Sequence, residues 1–363
     1  MKKSKKKAVA ITAGVLALAA VGAVAFMKSK LDKIPEMTAL DTIKYTTKDR
    51  ADAVVTVGLI QGSQMTVKVY GQNGEELVTD TNHIYEVGSL TKTMTAALVN
   101  RACSEGLIDL NDTVDKYLKL TPSNSYPTIE KLLTHTSGFR GYYFEKPMIS
   151  NHLNGRNDFY GVSKDMLLNR LNKLNTGNGE YGFKYSNFGY ATLGLVLESV
   201  YGKDYTTLLN DFISGDLGLG HTGISKTKGD LDNYWDWADG DAYIPAGAVT
   251  SDIEDMMRYA QLLMNDDEHF GRCREKLKMI NASSGMYKSM DINMDSIGMG
   301  WMIDEKNGYC WHNGGTGDYN CYLAFDAENQ LAVVVLSNLP PAYRIPATVT
   351  GAKYMQEISR HGG

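Results

Sequence analysis

The stretch "EVGSLTKTMTAALVNRA", Glu86 to Ala102, decides how the rest of the chain is read. Ser89 stands three residues before Lys92 at the head of an apolar run in which Met94, Ala97, Leu98 and Ala102 recur at helical spacing. Residues at i and i+3 share one helix face, so the serine hydroxyl and the lysine amine can touch. An amine kept neutral by burial or neighbours can act as base to that hydroxyl. The other reading is an ordinary helix start with Ser89 as its N-cap. The pattern S-x-x-K occurs three times, at Ser4/Lys7, Ser89/Lys92 and Ser225/Lys228. In a chain of this length about one such match is expected by chance. Ser4 lies in a lysine cluster and Ser225 in the polar "GISKTKGD", so only Ser89 has a helix behind it to hold it.

Outward from that helix, the chain alternates in blocks. "ADAVVTVGLIQ" and "MTVKVYG" predict a strand pair turning at Gly62-Ser63. From about Leu107 to Asp266 the pattern is mostly helical. Ser163 opens "SKDMLLNRLNKL", Gly202 closes "NFGYATLGLVLESVYG", and Ser251 with Glu254 forms a capping box before "SDIEDMMRYAQLLMN". Strands return as "GMGWMID", "YCWHN", "NCYLAFD" and "LAVVVLSN", and a last helix pattern runs from Pro346 to Ile358. Strands at both ends with helices between predict an α/β layer carrying a helical insertion.

The 363 residues are 43% hydrophobic and 22% charged, an ordinary globular balance. Residues 1–33 hold eight lysines and one acid, Asp32, which leaves 29 basic against 41 acidic residues for 34–363. That acidic remainder argues against a nucleic-acid partner. Lys2, Lys3, Lys5, Lys6 and Lys7 precede an uncharged run from Ala8 to Met27. Twenty residues span about 30 Å as a helix, the thickness of a bilayer core. The sequence therefore divides into a cytoplasmic basic tail (1–7), a transmembrane anchor (8–27), a polar linker (28–50) and one large domain (51–363), its helical part lying at roughly 107–266. The lysine excess places the N-terminus inside and the domain outside. A signal peptide cleaved after Ala25, at the A-x-A site Ala23-Val24-Ala25, is the alternative and would make the protein secreted.

Two further constellations carry chemistry. Tyr185-Ser186-Asn187 is the only Y-x-N among 22 tyrosines. Asn187 reads equally as a helix cap, but Tyr185 held between cationic groups would ionise more easily and act as a base. His312-Asn313-Gly314-Gly315 lies between two strand patterns. It reads either as a glycine-rich hairpin or as a strand edge that a ligand can approach closely, with N–H groups facing an oxyanion.

In the order S-x-x-K, Y-x-N and H-x-G-G, the chain resembles the serine β-lactamase and penicillin-binding protein superfamily, in its class C β-lactamase-like branch of D-alanyl-D-alanine peptidases and related esterases. The segments "LLTHTSGF", "PAGAVTSDIEDMMRYAQLL" and "YLAFDAENQLAVVVLSN" extend the resemblance over about Val54 to Asn338. It implies a sandwich with a mostly antiparallel sheet flanked by helices and an inserted helical subdomain, the active site lying between them. It implies Ser89 as acyl-accepting nucleophile, Lys92 and Tyr185 as its proton relay, and Asn187, His312, Gly314 and Gly315 as the substrate-binding set. The N–H groups of Ser89 and Gly315 would form the oxyanion hole.

The resemblance departs at His312, where dedicated β-lactamases carry lysine. With a neutral imidazole facing the cleft, carboxylated substrates should gain as pH falls toward the histidine's range. The reading is thus a membrane-anchored extracytoplasmic serine hydrolase, its leading substrate a cell-wall D-amino-acid peptide and related amides and esters next. An esterase, a β-lactamase, or a penicillin-binding sensor without turnover are the alternatives.

No cofactor or metal is expected, since H-E-x-x-H is absent. Gly218-Leu219-Gly220-His221-Thr222-Gly223 fits G-x-G-x-x-G but follows a helix pattern, and reads as a helix stop. Cys310 and Cys321 would face one another in a symmetric hairpin, at a separation of about 4.5–5.5 Å that is long for a disulfide. The aromatic run Gly141 to Gly161 reads either as a cleft wall or as a packed loop.

Overall fold

A computed structural model describes residues 34–78, 82–176, 179–224 and 229–361. The lysine cluster, the Ala8–Met27 run, and the Ser4/Lys7 and Ser225/Lys228 pairs therefore lie outside the described residues. Among the described residues no helix is long and apolar enough to cross a membrane.

The chain enters the fold earlier than its polarity suggests. The segment read as a linker over 28–50 contains helix α1 (Ala39–Thr47), closed at its start by a capping box of Thr38 and Asp41. Ala39 and Ile43 are buried on one face of the sheet, which corrects the linker reading. Sheet strands β1 (Val55–Gln61) and β2 (Gln64–Tyr70) follow, turning at Gly62-Ser63, and β3 (Glu76–Leu77) lines the edge. A short β4 (Tyr85–Glu86) leads into the one-turn segment Gly88–Leu90 and helix α2 (Thr91–Ser104).

The helical insertion holds α3 (Lys164–Leu171), capped by Ser163 as expected, and α4 (Asn187–Tyr201), ended by the left-handed Gly202. Ser186, not Asn187, caps α4 by accepting from the Gly189 N–H. Strand β5 (Thr250–Ser251) pairs with β4, and α5 (Ile253–Asn265) starts one residue later than the capping-box reading requires. Its cap is Asp252, because Ser251 is occupied in the strand. Strands β6 (Lys278–Met279), β7 (Ser296–Ile297), β8 (Met302–Asp304), β9 (Tyr309–Gly315), β10 (Asn320–Asp326) and β11 (Leu331–Ser337) return to the sheet, and α6 (Ala347–His361) closes the chain.

Among the described residues nine of the strands form one sheet in the order β3-β2-β1-β11-β10-β9-β8-β7-β6, all antiparallel, so its first and last strands in sequence pair with one another. Each sheet face has its own core. Ile60, Leu323, Phe325, Val334 and Leu336 face α2 and the helical insertion. Val55, Val57, Tyr322, Ala324, Val333 and Val335 face α1 and α6. Strands covered on both faces read as continuous apolar runs, as "LAVVVLS" does. The antiparallel sheet flanked by helices, with its helical insertion, is the architecture the sequence implies.

Candidate active site

The site forms where the start of α2 meets β9. The Val87 N–H donates to the Val249 carbonyl at 3.0 Å, fixing the loop from Glu86 to Ser89 beside β5. On its other side the loop abuts the end of β9. A Cβ on Gly314 would lie 2.0 Å from the Val87 oxygen, and one on Gly88 (φ 48°) would lie 2.6 Å from the Gly315 nitrogen. Only glycines permit this approach, and through it Gly315 comes to the Ser89 loop.

Lys92, on the first turn of α2, is fully buried with its Nζ 3.0 Å from Ser89 Oγ. The amine donates to the Ala246 carbonyl at 2.5 Å and sits 4.9 Å from the Tyr185 ring centre. Burial holds it well below the ordinary lysine range. A neutral amine at hydrogen-bond distance from a hydroxyl is a competent base. Ser89 itself is half-buried and opens onto solvent-accessible space on two sides.

Tyr185 is also at the site, but not as an ionised base. Burial pushes its phenol up, against the pull of the Ser89 hydroxyl beside it. The expectation of a tyrosine held between cationic groups is not met, because the amine beside it, Lys92, is itself neutralised by burial. The phenol stays protonated and can pass a proton rather than hold a charge.

His312 departs further. It was expected to face the cleft, yet it is buried and lines neither cavity at Ser89. Its Nδ1 donates to the Asn313 carbonyl at 2.6 Å, and its ring packs 6.2 Å from Tyr185 and 6.5 Å from Trp301. Burial holds it down to about 3. The imidazole is neutral at any ordinary pH and cannot read substrate charge.

A second histidine went unnoticed in the sequence. His135, in "LLTHTSGF", has a left-handed backbone (φ 56°) and accepts the Ser186 N–H on its Nδ1 at 3.1 Å. Its ring lies 4.4 Å from Tyr185 and 5.1 Å from Tyr190, so it seats the Tyr185-Ser186 segment. The segment motif was visible; the φ that aims this ring was not.

Ser89 divides two cavities. The first, about 400 Å³, is lined by Tyr185, Tyr287, Asn313, Gly314, Gly315 and Thr348 among others. Asn313 Nδ2 donates to Thr348 Oγ1 at 2.9 Å, and Asn320 Oδ1 accepts the Ala347 N–H, so the start of α6 forms part of this wall. The second, about 80 Å³, is walled by Asn187, Phe159, Trp235, Trp237 and Tyr243. Phe159 belongs to the aromatic run Gly141 to Gly161 and stacks on Tyr243 at 4.3 Å. No lysine, arginine, aspartate or glutamate lines either cavity among the described residues. Ser89, Lys92, Tyr185, Asn187, Gly314 and Gly315 thus converge on one place, while His312 stands behind it.

The remaining sequence signals fall elsewhere. Gly218 (φ 63°) turns the chain after a helical segment, as expected of a helix stop. His221, Asp252 and Asp255 bring ligand atoms within 4.8 Å of one another, but they are joined by their own bonds at the start of α5. His221 Nδ1 meets Asp252 Oδ2 at 2.7 Å, and Thr222 Oγ1 donates to Asp255 at 2.7 Å. Cys310 and Cys321 are both free. They pair with Phe325 and Gly314 respectively, because the β9–β10 turn occupies 316–319 and shifts the register away from the symmetric hairpin.

The β-lactamase family model matches residues 43–352. The chain belongs to the β-lactamase family, a family of serine hydrolases. It is 24% identical over 285 residues to protein flp of Staphylococcus aureus strain MW2, covering 71% of this chain and 53% of that one. The chain thus spans about half the length of these staphylococcal relatives. It is 25% identical over 312 residues to the D-alanyl-D-alanine-carboxypeptidase/endopeptidase AmpH of Escherichia coli K12, covering 79% of each. Among solved structures, a β-lactamase/D-alanine carboxypeptidase of Yersinia pestis superposes with a TM-score of 0.69 at 20% identity, covering 91% of this chain and 98% of that one. An octameric penicillin-binding protein homologue of Pyrococcus abyssi does so with 0.67 at 19%, covering 94% and 77%. These likenesses extend the β-lactamase fold over nearly the whole chain.

Proposed function

We propose that this β-lactamase family member is an acyl-serine hydrolase of D-amino-acid peptides or related amides and esters. The observation that carries the reading is the fully buried Lys92 amine, 3.0 Å from Ser89 Oγ. Ser89 Oγ attacks the substrate carbonyl carbon while its proton passes to Lys92 Nζ. The carbonyl electron pair becomes an oxyanion that the N–H groups of Ser89 and Gly315 receive. Collapse of that intermediate breaks the amide or ester bond. The proton held on Lys92 moves through the Tyr185 hydroxyl to the leaving nitrogen or oxygen. Water then attacks the acyl-serine with the same groups in reverse.

Asn187 is assigned to hold the substrate's amide in the second, aromatic cavity, whose size suits a small side chain. The lack of charged side chains in both cavities favours substrates that are neutral on either side of the cleaved bond. An internal amide or an ester suits such a cleft better than a terminal carboxylate, and AmpH is named for endopeptidase as well as carboxypeptidase activity. No cofactor is called for. We assign the domain to the outer face of the cell membrane on the strength of the Lys2–Lys7 cluster and the Ala8–Met27 run.

Labelling with a fluorophosphonate or a penicillin probe, followed by peptide mass mapping, tests the chemistry. Ser89 should carry the adduct, and Ser89→Ala should abolish it while melting normally; an adduct on another serine refutes the assignment. Steady turnover of D-alanyl peptides or p-nitrophenyl esters separates an enzyme from a sensor that stops at the acyl stage. Protease added outside spheroplasts should reach residues 34–363, and protection there refutes the orientation.

A further inference from the structure

Glu86 ends β4, three residues before Ser89, and is only 4% exposed. Its Oε1 accepts the Trp235 N–H at 2.6 Å, and its Oε2 accepts the Thr316 hydroxyl at 2.5 Å. Each partner belongs to a different wall of the site. Thr316 directly follows Gly315, the assigned oxyanion donor, and is itself buried. Trp235 lines the aromatic cavity, and Gly317 approaches its indole so closely that a Cβ would lie 2.7 Å from Nε1. One carboxyl therefore ties the nucleophile loop, the end of β9 and the aromatic wall together.

Among the described residues no basic side chain is in contact with that carboxyl. Asp318 and Tyr319 face it from the turn after Thr316, and Tyr234 faces it from the segment carrying Trp235. The Tyr234 and Tyr319 hydroxyls donate to the Ile84 and Asp232 carbonyls. Tyr85 beside it on β4 bonds Thr56, and Asp230 beyond is paired with His83. Burial raises the carboxyl to about 7, opposed by Thr316 and Trp235 and assisted by Asp318.

An ionised carboxylate accepts from both donors at once, and both distances are in the short range of charge-assisted hydrogen bonds. A protonated carboxyl loses that arrangement. Its own hydrogen is donated from Oε2 to Thr316 Oγ1, so that bond reverses, the Thr316 hydroxyl needs another acceptor, and both bonds lose their charge assistance. We propose that Glu86 is a positioning residue that draws Gly315 and the aromatic wall onto the Ser89 loop when ionised and slackens them when protonated. Acyl transfer at this site is then gated by a proton that never reaches the substrate. The proposal rests on the Ser89 and Gly315 roles given above.

The test uses the full chain in two measurements. In the first, fluorophosphonate acylation rates are taken from pH 5.5 to 9 for the wild type, Glu86→Gln and Glu86→Asp. The wild-type rate should climb through a midpoint near pH 7, where the carboxyl ionises. Glu86→Gln keeps an acceptor for Trp235 but cannot ionise. It should lose the inflection and stay about tenfold below the wild-type plateau, the scale of a sub-ångström misplacement. Glu86→Asp should keep an inflection with its midpoint moved.

In the second, tryptophan fluorescence is titrated in Ser89→Ala, which needs no chemistry. A transition near pH 7 should be present there and absent in Ser89→Ala/Glu86→Gln. If Ser89→Ala still labels, the hydrolase reading fails while the fluorescence titration continues to test Glu86. A wild-type inflection retained in Glu86→Gln, or a fluorescence transition retained in the double variant, overturns the proposal.

Discussion

Gly314→Ala should disable the site through one methyl group that never touches substrate. Gly314 is not among the residues with positive φ, so its backbone suits alanine. The obstacle is space. The new Cβ would stand 2.0 Å from the Val87 oxygen and 2.6 Å from Cys321 Sγ. A carbon and a carbonyl oxygen settle at about 3.3 Å, so β9 and the Ser89 loop must part by roughly 1.3 Å. The Cys321 thiol cannot yield easily, since it is buried and donates to the same Val87 oxygen at 3.0 Å. Displacing the Gly315 N–H by that distance removes one oxyanion donor, an effect worth about 10²–10³ in rate. Overpacking should cost a further 1–3 kcal/mol or so of stability. The assay is the acylation rate with a chromogenic ester, taken well below each variant's Tm so that unfolding does not enter. Gly182→Ala is the control, because a Cβ there meets nothing within 4 Å and φ is again not positive. A folded Gly314→Ala protein that acylates within about threefold of wild type would refute the contact between β9 and the Ser89 loop as the source of the oxyanion hole.

Lys92→Met should lower acylation by about 10²–10⁴, the usual worth of a positioned base. Lys92 is neutral folded and charged unfolded below its ordinary 10.5, so wild-type stability should rise with pH toward that value. Urea unfolding at pH 7 and 9.5 should show this slope reduced in Lys92→Met, and an unchanged slope would contradict the buried neutral amine. His312→Lys should lower Tm by burying a cation without favouring carboxylated over neutral substrates; a gain in that ratio of kcat/KM would show that position 312 reaches the cleft. His135→Ala removes a buried ring and the acceptor of the Ser186 N–H, so urea unfolding should show a loss of about 2–5 kcal/mol. Acylation should fall with it as Tyr185 loses its seat, and a folded variant with unchanged kcat would refute that role.

What could be read in the sequence follows how far each partner lies along the chain. Ser163 and Gly202 cap or stop their own helices, and the Gly62-Ser63 turn joins adjacent strands; each depends on neighbours within a few residues. The α5 cap misses by one residue because β5 claims Ser251, and β5 pairs with a strand about 165 residues earlier. His312 fails for a different reason. Its cleft-facing reading comes from the motif, and alternation offers no check on it, since both Trp311 and His312 are buried, on opposite sides of a sheet covered twice. The Cys310–Cys321 pairing fails because register belongs to the turn, and four turn residues displaced it.

Lys92 shows the boundary within one residue. Its contact with Ser89 is legible because the two are one helical turn apart. Its charge state is not, because the enclosure that neutralises it comes from Tyr185, Tyr190 and the Ala246 carbonyl, three walls distant in sequence from α2. Glu86 inverts the case. It adjoins the most informative motif in the chain, yet its partners Trp235 and Thr316 are 149 and 230 residues away. Nothing in "YEVGS" marks that glutamate as buried or its proton as labile near neutral pH. Sequence spacing therefore locates the groups that exchange the substrate's proton, while the groups that set when they can do so emerge only from the packing of the segments around them.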